Sequence, residues 1–242
     1  SKKVDSKIKS FFHKILIKIL IYYCDNLIFL GKGEFKEAHK YTDNSELLHF
    51  LPFCIDTSFW VTKKEIAARD KIIFIGNDGN RDYEKAIKIA GALDDINFTF
   101  ITNNIEDSNF LPKNIKLIKG HWNKSILTDK EIKNYYEEAR ISIIPLIESL
   151  QPSGQSVALQ SMSMNIPVFI TKTNGFWDNN SFLDEENIIL VEDNSIENWT
   201  SQLRSTFDNY EKLNKLSING KELINQKFDI RNFYNDLKHI IF

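Results

Sequence analysis

Cysteine, glycine and proline are all scarce in this chain. Two cysteines in 242 residues are too few for the disulfide framework of a small secreted domain. The chain has nine glycines and five prolines. Its sequence contains no internal repeat and no low-complexity segment. Because Cys24 and Cys54 stand in apolar segments, we predict buried thiols in a reducing compartment.

An excess of one charge and a long apolar run are missing too. The net charge of −2 gives no reason to expect nucleic acid as a partner. The sequence has neither a signal peptide with a small-residue cleavage site nor an uncharged run of transmembrane length. The histidines are scattered, so we predict no metal site.

Residues 6–23 carry apolar side chains at helical spacing, with lysines on the remaining faces. Two interpretations stay open. The helix packs on a domain core, or it lies on an anionic membrane surface, which suits a lysine-rich polar face. The second would put a cytoplasmic protein at the inner face of the membrane.

Short apolar runs alternate with segments of helical periodicity over most of the chain. Before residue 60 we predict strands at 26–30 and 47–53, with a helix at 32–41 between them. The later predicted strands are 72–75, 98–102, 115–119, 141–145, 168–171 and 188–191. The later predicted helices are 83–92, 128–139, 156–164, 196–210, 210–226 and 230–241. Such alternation predicts an α/β fold with a doubly wound parallel sheet.

The stretch 141–173 organises this pattern. A polar loop, residues 148–155, lies between a buried strand and a helix that ends before Pro167. Free N–H groups and the helix dipole make such a place an anion site. Gly154 lets a ligand approach the backbone, and Ser153 or Ser156 could cap the helix or bind a phosphate oxygen.

This stretch resembles the nucleotide-sugar signature of group 1 (family 4-like) retaining glycosyltransferases. The residues that carry the resemblance are Pro145, Glu148, Gly154, Leu159-Gln160-Ser161-Met162, Asn165 and Pro167-Val168. The family usually has two Glu separated by seven residues, whereas this chain has Pro152 and Gln160 there. The resemblance implies two facing Rossmann-like domains of the GT-B type.

A second segment resembles the junction between the two domains of that family. Pro52, Asp56 and Phe59 match a strand end and turn, and Phe228-Asp229 matches a late bend. The resemblance implies that residues 1–60 are the tail of the acceptor-binding first domain. Residues 61–227 are then the Rossmann-like nucleotide-sugar domain, with an interdomain linker at 57–69, and residues 228–242 a helix returning to the first domain.

Phosphate binding is predicted for the loop after strand 72–75. Gly76 allows close approach of a phosphate, and Asn80 and Arg81 lie in the same loop. The loop is not the GxGxxG dinucleotide fingerprint. A guanidinium can bind two phosphate oxygens at once. The alternative is a surface Arg81 paired with Asp82 or Glu84.

The loop after strand 115–119 contains His121 and Trp122. In the family this loop lies beside the nucleotide base. The resemblance thus implies base stacking on Trp122 and a phosphate or ribose contact from His121. The alternative is a Trp packed beneath a loop.

Other site residues follow from the resemblance. Glu148 is the implied catalytic carboxylate, which would stabilise positive charge at the anomeric carbon; its alternative is a solvated loop side chain. Gln160 stands where the family has a ribose-binding Glu. The remaining implied substrate contacts are Ser153, Gly154, Gln155, Ser156, Asn174 and Gly175.

The resemblance implies transfer from a nucleotide-diphosphate sugar to a hydroxyl, with retention. The nucleotide sugar is the donor substrate, and no cofactor is expected. The acceptor would be a glycan or lipid-linked molecule of cell-surface polysaccharide or lipopolysaccharide synthesis. The alternative is a non-catalytic nucleotide-sugar-binding or scaffolding module of the same fold, which Gln160 favours.

Overall fold

The computed structural model describes residues 2–106, 110–119 and 127–242, with side chains from residue 12 onward. His121 and Trp122 therefore lie outside the described residues. We number the strands β1 to β8 and the helices α1 to α8 along the chain.

A six-stranded sheet forms the centre of the larger unit, and all its strands are parallel. The strands are β3 (Lys71–Ile75), β4 (Asn97–Ile101), β5 (Ile115–Ile118), β6 (Ala139–Ile144), β7 (Val168–Thr171) and β8 (Ile189–Val191). Their order across the sheet is β5-β4-β3-β6-β7-β8. Their β-branched and aromatic side chains suit strands that are buried on both faces.

Helices cover both faces of this sheet. They are α3 (Tyr83–Ala92), α4 (Asp129–Glu138), α5 (Gln155–Ser163), α6 (Ile196–Phe207) and α7 (Tyr210–Lys227). Successive side chains of strand β3 point to opposite faces of the sheet. Ile72 and Phe74 belong to one hydrophobic cluster, and Ile73 and Ile75 belong to the other. Side-chain caps fix where α3, α4, α6 and α7 begin.

The strand order reverses between β3 and β6, which are neighbours in space although β4 and β5 lie between them in sequence. The connections from these two strands therefore leave in opposite directions. A crevice opens at their carboxyl ends, where open α/β sheets bind their ligands.

A smaller unit precedes the large sheet. It contains α1 (Lys2–Tyr22), β1 (Leu27–Phe29), α2 (Lys32–Ala38) and β2 (Leu48–Phe50), and the two strands pair in parallel. Strand β2 is shorter than the predicted 47–53, and Pro52 explains part of the difference because it has no N–H for a ladder bond. Cys24 is exposed and Cys54 only half-buried, so the prediction of two buried thiols was wrong.

Helix α1 packs only loosely on this unit. Ile21 contacts its small core, whereas Phe12, Leu16 and Leu20 are 63%, 53% and 58% exposed. The interpretation of α1 as a core-packed helix therefore fails for most of its described side chains. Among the described residues, no helix is long and apolar enough to cross a membrane.

The segment after β2 and the start of α8 (Ile230–Ile241) meet at a crossing point. Ile55 N–H donates to the Phe228 carbonyl, and Ile230 N–H donates to the Ile55 carbonyl. Arg69, within the predicted linker 57–69, is buried and donates to the carbonyls of Ala139 and Met164. The later part of this segment is therefore anchored to the large unit.

Candidate functional site

The loop that follows β3 is joined to the carboxyl end of β6. Arg81 and Leu146 form an isolated β-bridge. Asp82 N–H donates to the Pro145 carbonyl at 3.0 Å, and Ile147 N–H donates to the Asn80 carbonyl at 2.9 Å. These backbone bonds hold Arg81 at the position where the strand order reverses.

The Arg81 side chain is 3% exposed. Its Nε donates to the Ile75 carbonyl at 3.3 Å. Nη1 lies 3.0 Å from Asp78 Oδ2, yet it is buried and makes no geometrically adequate hydrogen bond within the described residues. Burial lowers the pKa of Arg81, and the charge of Asp78 partly opposes that effect. The alternative of a surface arginine paired with Asp82 or Glu84 is therefore wrong.

Gly76 makes room for this guanidinium, and Gly154 lies next to it. A Cβ on Gly76 would lie 2.5 Å from Arg81 Nε. Gly154 has a φ of +87°, and a Cβ there would lie 2.8 Å from Ile144 Cγ2 and 3.6 Å from Arg81 Nη1. A glycine is therefore required at 154 both by its left-handed backbone and by the space around it.

Asn80 and Ser153 connect the two loops through their side chains. Asn80 Nδ2 donates to Ser153 Oγ at 2.8 Å and to Gln151 Oε1 at 3.2 Å. Gly154 is the N-cap of α5 and provides no side-chain cap. Of the two roles predicted for Ser153 and Ser156, capping of the helix is therefore wrong, whereas contact with a phosphate oxygen stays a prediction. The first-turn N–H groups of α5 lack a side-chain cap.

The two glutamines of α5 have partners inside the protein. Gln155 is buried, and its Nε2 donates to the Leu30 carbonyl of the smaller unit at 2.8 Å. Gln160 Oε1 accepts a hydrogen bond from Tyr136 Oη at 3.2 Å. Burial raises the pKa of Tyr136, so its phenol remains a donor at neutral pH.

Glu148, Asn174 and Gly175 belong to two loops that contact each other. Glu148 is exposed, and its Oε1 accepts from Asn174 N–H at 2.9 Å. Gly175 N–H donates to the Ser149 carbonyl at 2.8 Å. A Cβ on Gly175 would lie 2.5 Å from the Leu150 carbonyl carbon, so only glycine fits this contact.

The sequence analysis missed one ion pair beside these loops. Lys32 Nζ lies 2.5 Å from Asp178 Oδ1, and Lys32 N–H donates to the Trp177 carbonyl. Lys32 begins α2, so this contact joins the smaller unit to the loop after β7. No local signal in the sequence links these residues, because they are separated by 146 positions.

In the part of the chain that the structure describes, no group of three or more His, Cys, Asp or Glu side chains could hold a metal ion. Among the described residues, the loops that border the crevice carry Arg81, its partner Asp78 and the exposed Glu148. Together with the uncapped start of α5, Arg81 makes this edge of the sheet suited to an anion.

No family model matches this sequence, and no curated protein matches it. Solved structures do match. An Anabaena HepE structure in complex with UDP and glucose has a TM-score of 0.74 at 10% identity, covering 96% of this chain and 67% of that one. Sucrose-phosphate synthase from Thermosynechococcus elongatus has a TM-score of 0.70 at 15% identity, covering 94% of this chain and 60% of that one.

The C-terminal domain of the glycosyl transferase group 1 family protein LpcC from Francisella tularensis also matches. Its TM-score is 0.56 at 20% identity, over 73% of this chain and 99% of that domain. These neighbours are GT-B glycosyltransferases. The parallel six-stranded sheet with helices on both faces matches their Rossmann-like fold, which confirms the predicted fold class.

Proposed function

We propose that this chain binds the diphosphate of a nucleotide sugar in the crevice between β3 and β6, and that it serves glycosyl transfer. The observation that carries the proposal is the buried guanidinium of Arg81 at the position where the strand order reverses, because its Nη1 has no hydrogen bond to any described residue. A buried charge needs compensation, and phosphate oxygens would supply it. The Anabaena neighbour, which holds UDP and glucose, supports this assignment.

Arg81 and the start of α5 would act on the same charge in this proposal. When a sugar leaves a nucleotide diphosphate, negative charge grows on the diphosphate. A guanidinium and uncapped helix N–H groups that are already in place stabilise that charge without reorganising. Asp78 pairs with Arg81 in the unliganded chain, so this ion pair would rearrange when the ligand binds, before the bond to the sugar breaks.

We assign Glu148 to the sugar side of the crevice, where its carboxylate would stabilise positive charge at the anomeric carbon. Asn174 N–H already orients one of its oxygens. Trp122 is proposed to stack on the base, and His121 to contact a phosphate or the ribose. The proposal also includes retention at the anomeric carbon, an acceptor held by the smaller unit, and a role in polysaccharide or lipopolysaccharide synthesis. It includes the division of the chain into domains at residues 60 and 228. No metal or cofactor is part of it.

A non-catalytic binding module of the same fold is the second candidate. The observation that favours it is Gln160, whose amide oxygen accepts a hydrogen bond from Tyr136 inside the protein. A side chain that is used in this way has less capacity to hold a ribose hydroxyl. Both candidates require nucleotide binding, and they differ in whether sugar transfer follows.

Calorimetry with UDP, GDP and ADP tests the shared requirement. We expect at least one of these diphosphates to bind without added metal. The matching nucleoside, which lacks phosphate, should bind at least tenfold more weakly, about 1.4 kcal/mol. Absence of heat and of a thermal shift with all three at millimolar concentration would refute the proposal.

A further inference from the structure

Asp78 lies in the same loop as Arg81, and contacts within that loop place its carboxylate. Asp78 Oδ1 accepts a hydrogen bond from Asn80 N–H at 2.9 Å. Tyr83 Oη donates to the Asp78 carbonyl at 2.8 Å. The other carboxylate oxygen, Oδ2, lies 3.0 Å from Arg81 Nη1. The loop therefore holds a negative charge at the buried guanidinium of the unliganded chain.

This contact supplies charge without a well-aligned hydrogen bond. Arg81 Nη1 makes no adequate hydrogen bond to a described residue, although the carboxylate oxygen of Asp78 is close. The Asp78 side chain is 45% exposed and that of Arg81 only 3%. Water can therefore solvate the carboxylate when it moves away, and a half-exposed ion pair is weak. Asp78 is a counter-ion that an incoming anion can replace.

We propose that Asp78 is a specificity-determining residue, which competes with anions for Arg81 and so excludes single phosphates from the site. Any anion that reaches Nη1 must displace the carboxylate, so Asp78 lowers the affinity of every such anion by the same factor. A phosphate ion with few other contacts then binds too weakly to occupy the site. A nucleoside diphosphate has further contacts and still binds. This role rests on the proposed function of Arg81 as a diphosphate ligand.

Competition predicts that the charge of Asp78 affects stability and binding in opposite directions. Without that charge, the buried guanidinium of the unliganded chain loses its counter-ion, so the melting temperature should fall. In the liganded chain a phosphate takes the place of the carboxylate, so anion binding should become stronger. A purely structural role for Asp78 predicts that both the melting temperature and the affinity fall.

Asp78→Asn tests the proposal, because asparagine keeps the oxygen that accepts from Asn80 N–H and removes only the charge. Calorimetry should show UDP and inorganic pyrophosphate bound at least threefold more tightly, and uridine changed less than twofold. The control is Glu84→Gln, which removes a negative charge from an exposed pair with Lys88 on α3. It should change the affinity of all three ligands less than twofold.

Exclusion of single phosphates is measured by displacement of UDP, which is present at its Kd for each variant. The concentration of inorganic phosphate that displaces half of the UDP should fall at least threefold in Asp78→Asn. A smaller change, a loss of affinity, an equal gain for uridine or an equal gain with Glu84→Gln would overturn the proposal, as would an unchanged melting temperature.

The two anions separate this proposal from the proposed function. If UDP binds the unmodified chain and Asp78→Asn does not strengthen its binding, the competition by Asp78 fails alone. If UDP does not bind but pyrophosphate binds, and binds more tightly to Asp78→Asn, the nucleotide function fails and the competition by Asp78 stands. Absence of binding by both anions would overturn both.

Discussion

Arg81 is a residue at which burial and charge conflict. Its guanidinium is almost fully buried, and the exposed carboxylate of Asp78 is its ion-pair partner. Burying an incompletely paired charge costs several kcal/mol. Gly76 leaves room for that side chain, and the backbone bonds of Asn80 and Asp82 hold the loop in place. We interpret Arg81 as a preorganised anion ligand rather than a source of stability.

Gln160→Glu tests whether the site is adapted to glutamine. A glutamate can still accept the hydrogen bond of Tyr136, so we expect the dissociation constant of the best diphosphate to change less than about fivefold, or 1 kcal/mol. Gln202→Glu on α6 makes the same charge change and is the control. A gain of tenfold or more, to be measured by calorimetry at one salt concentration, would favour the non-catalytic module.

Sequence reasoning at this scale placed Arg81 in the loop after β3 but did not determine its burial. That burial depends on Leu146 and Gly154, which lie more than 60 positions later in the chain. The same limit applies to Gln155, whose partner Leu30 is 125 positions away. The local sequence pattern identifies which residues lie in a loop, whereas long-range packing determines which groups those residues contact.

At the scale of elements, periodicity predicted most strands and helices to within two residues. Tyr83–Ala92, Val168–Thr171 and Ile230–Ile241 have the predicted bounds. The largest errors are at the start of α1, which begins four residues before the predicted bound, and at the ends of α2, β2 and α6, which stop three residues before it. Helix α1 shows a different limit of sequence analysis. Its apolar stripe is clear in the sequence, but the stripe alone does not show whether another part of the protein packs on it, and large apolar side chains of the helix are exposed.

Asp229 fixes the crossing point between the segment after β2 and α8. The side chain is 2% exposed, and it accepts hydrogen bonds from Arg231 Nε at 2.6 Å and from Thr57 Oγ1. These bonds lower the pKa of Asp229. Because the folded-state pKa is the lower one, the carboxylate contributes stability above its unfolded pKa of about 4, and this contribution is lost as the pH falls.

We therefore expect Asp229→Asn to lower the free energy of unfolding by about 1–3 kcal/mol at pH 7. The difference from the unmodified chain should shrink as the pH falls below about 4. Urea unfolding at several pH values measures it, with Asp70→Asn, at an exposed position, as control. A difference that is constant from pH 7 to pH 3 would show that the charge of Asp229 plays no part.

At the scale of the whole molecule, the smaller unit contacts the loops of the larger one beside the crevice. Lys32 pairs with Asp178, and Gln155 donates to the Leu30 carbonyl. The loop at Leu150 and Gln151 also lines a pocket together with residues of the smaller unit. The order of strands and helices predicted the doubly wound sheet, whereas this arrangement of the two units comes only from three-dimensional contacts.

The central claim is that Arg81 binds a diphosphate, and the most direct test compares UDP with uridine. Calorimetry would be run on the unmodified chain, on Arg81→Ala and on Lys88→Ala, which removes an exposed charge from α3. Thermal unfolding confirms that each variant is folded. We predict that Arg81→Ala weakens UDP binding by about 1.5–3 kcal/mol, roughly 10- to 150-fold, and uridine binding less than twofold. Equal losses for UDP and uridine, or a loss with Lys88→Ala as large as with Arg81→Ala, would contradict the claim.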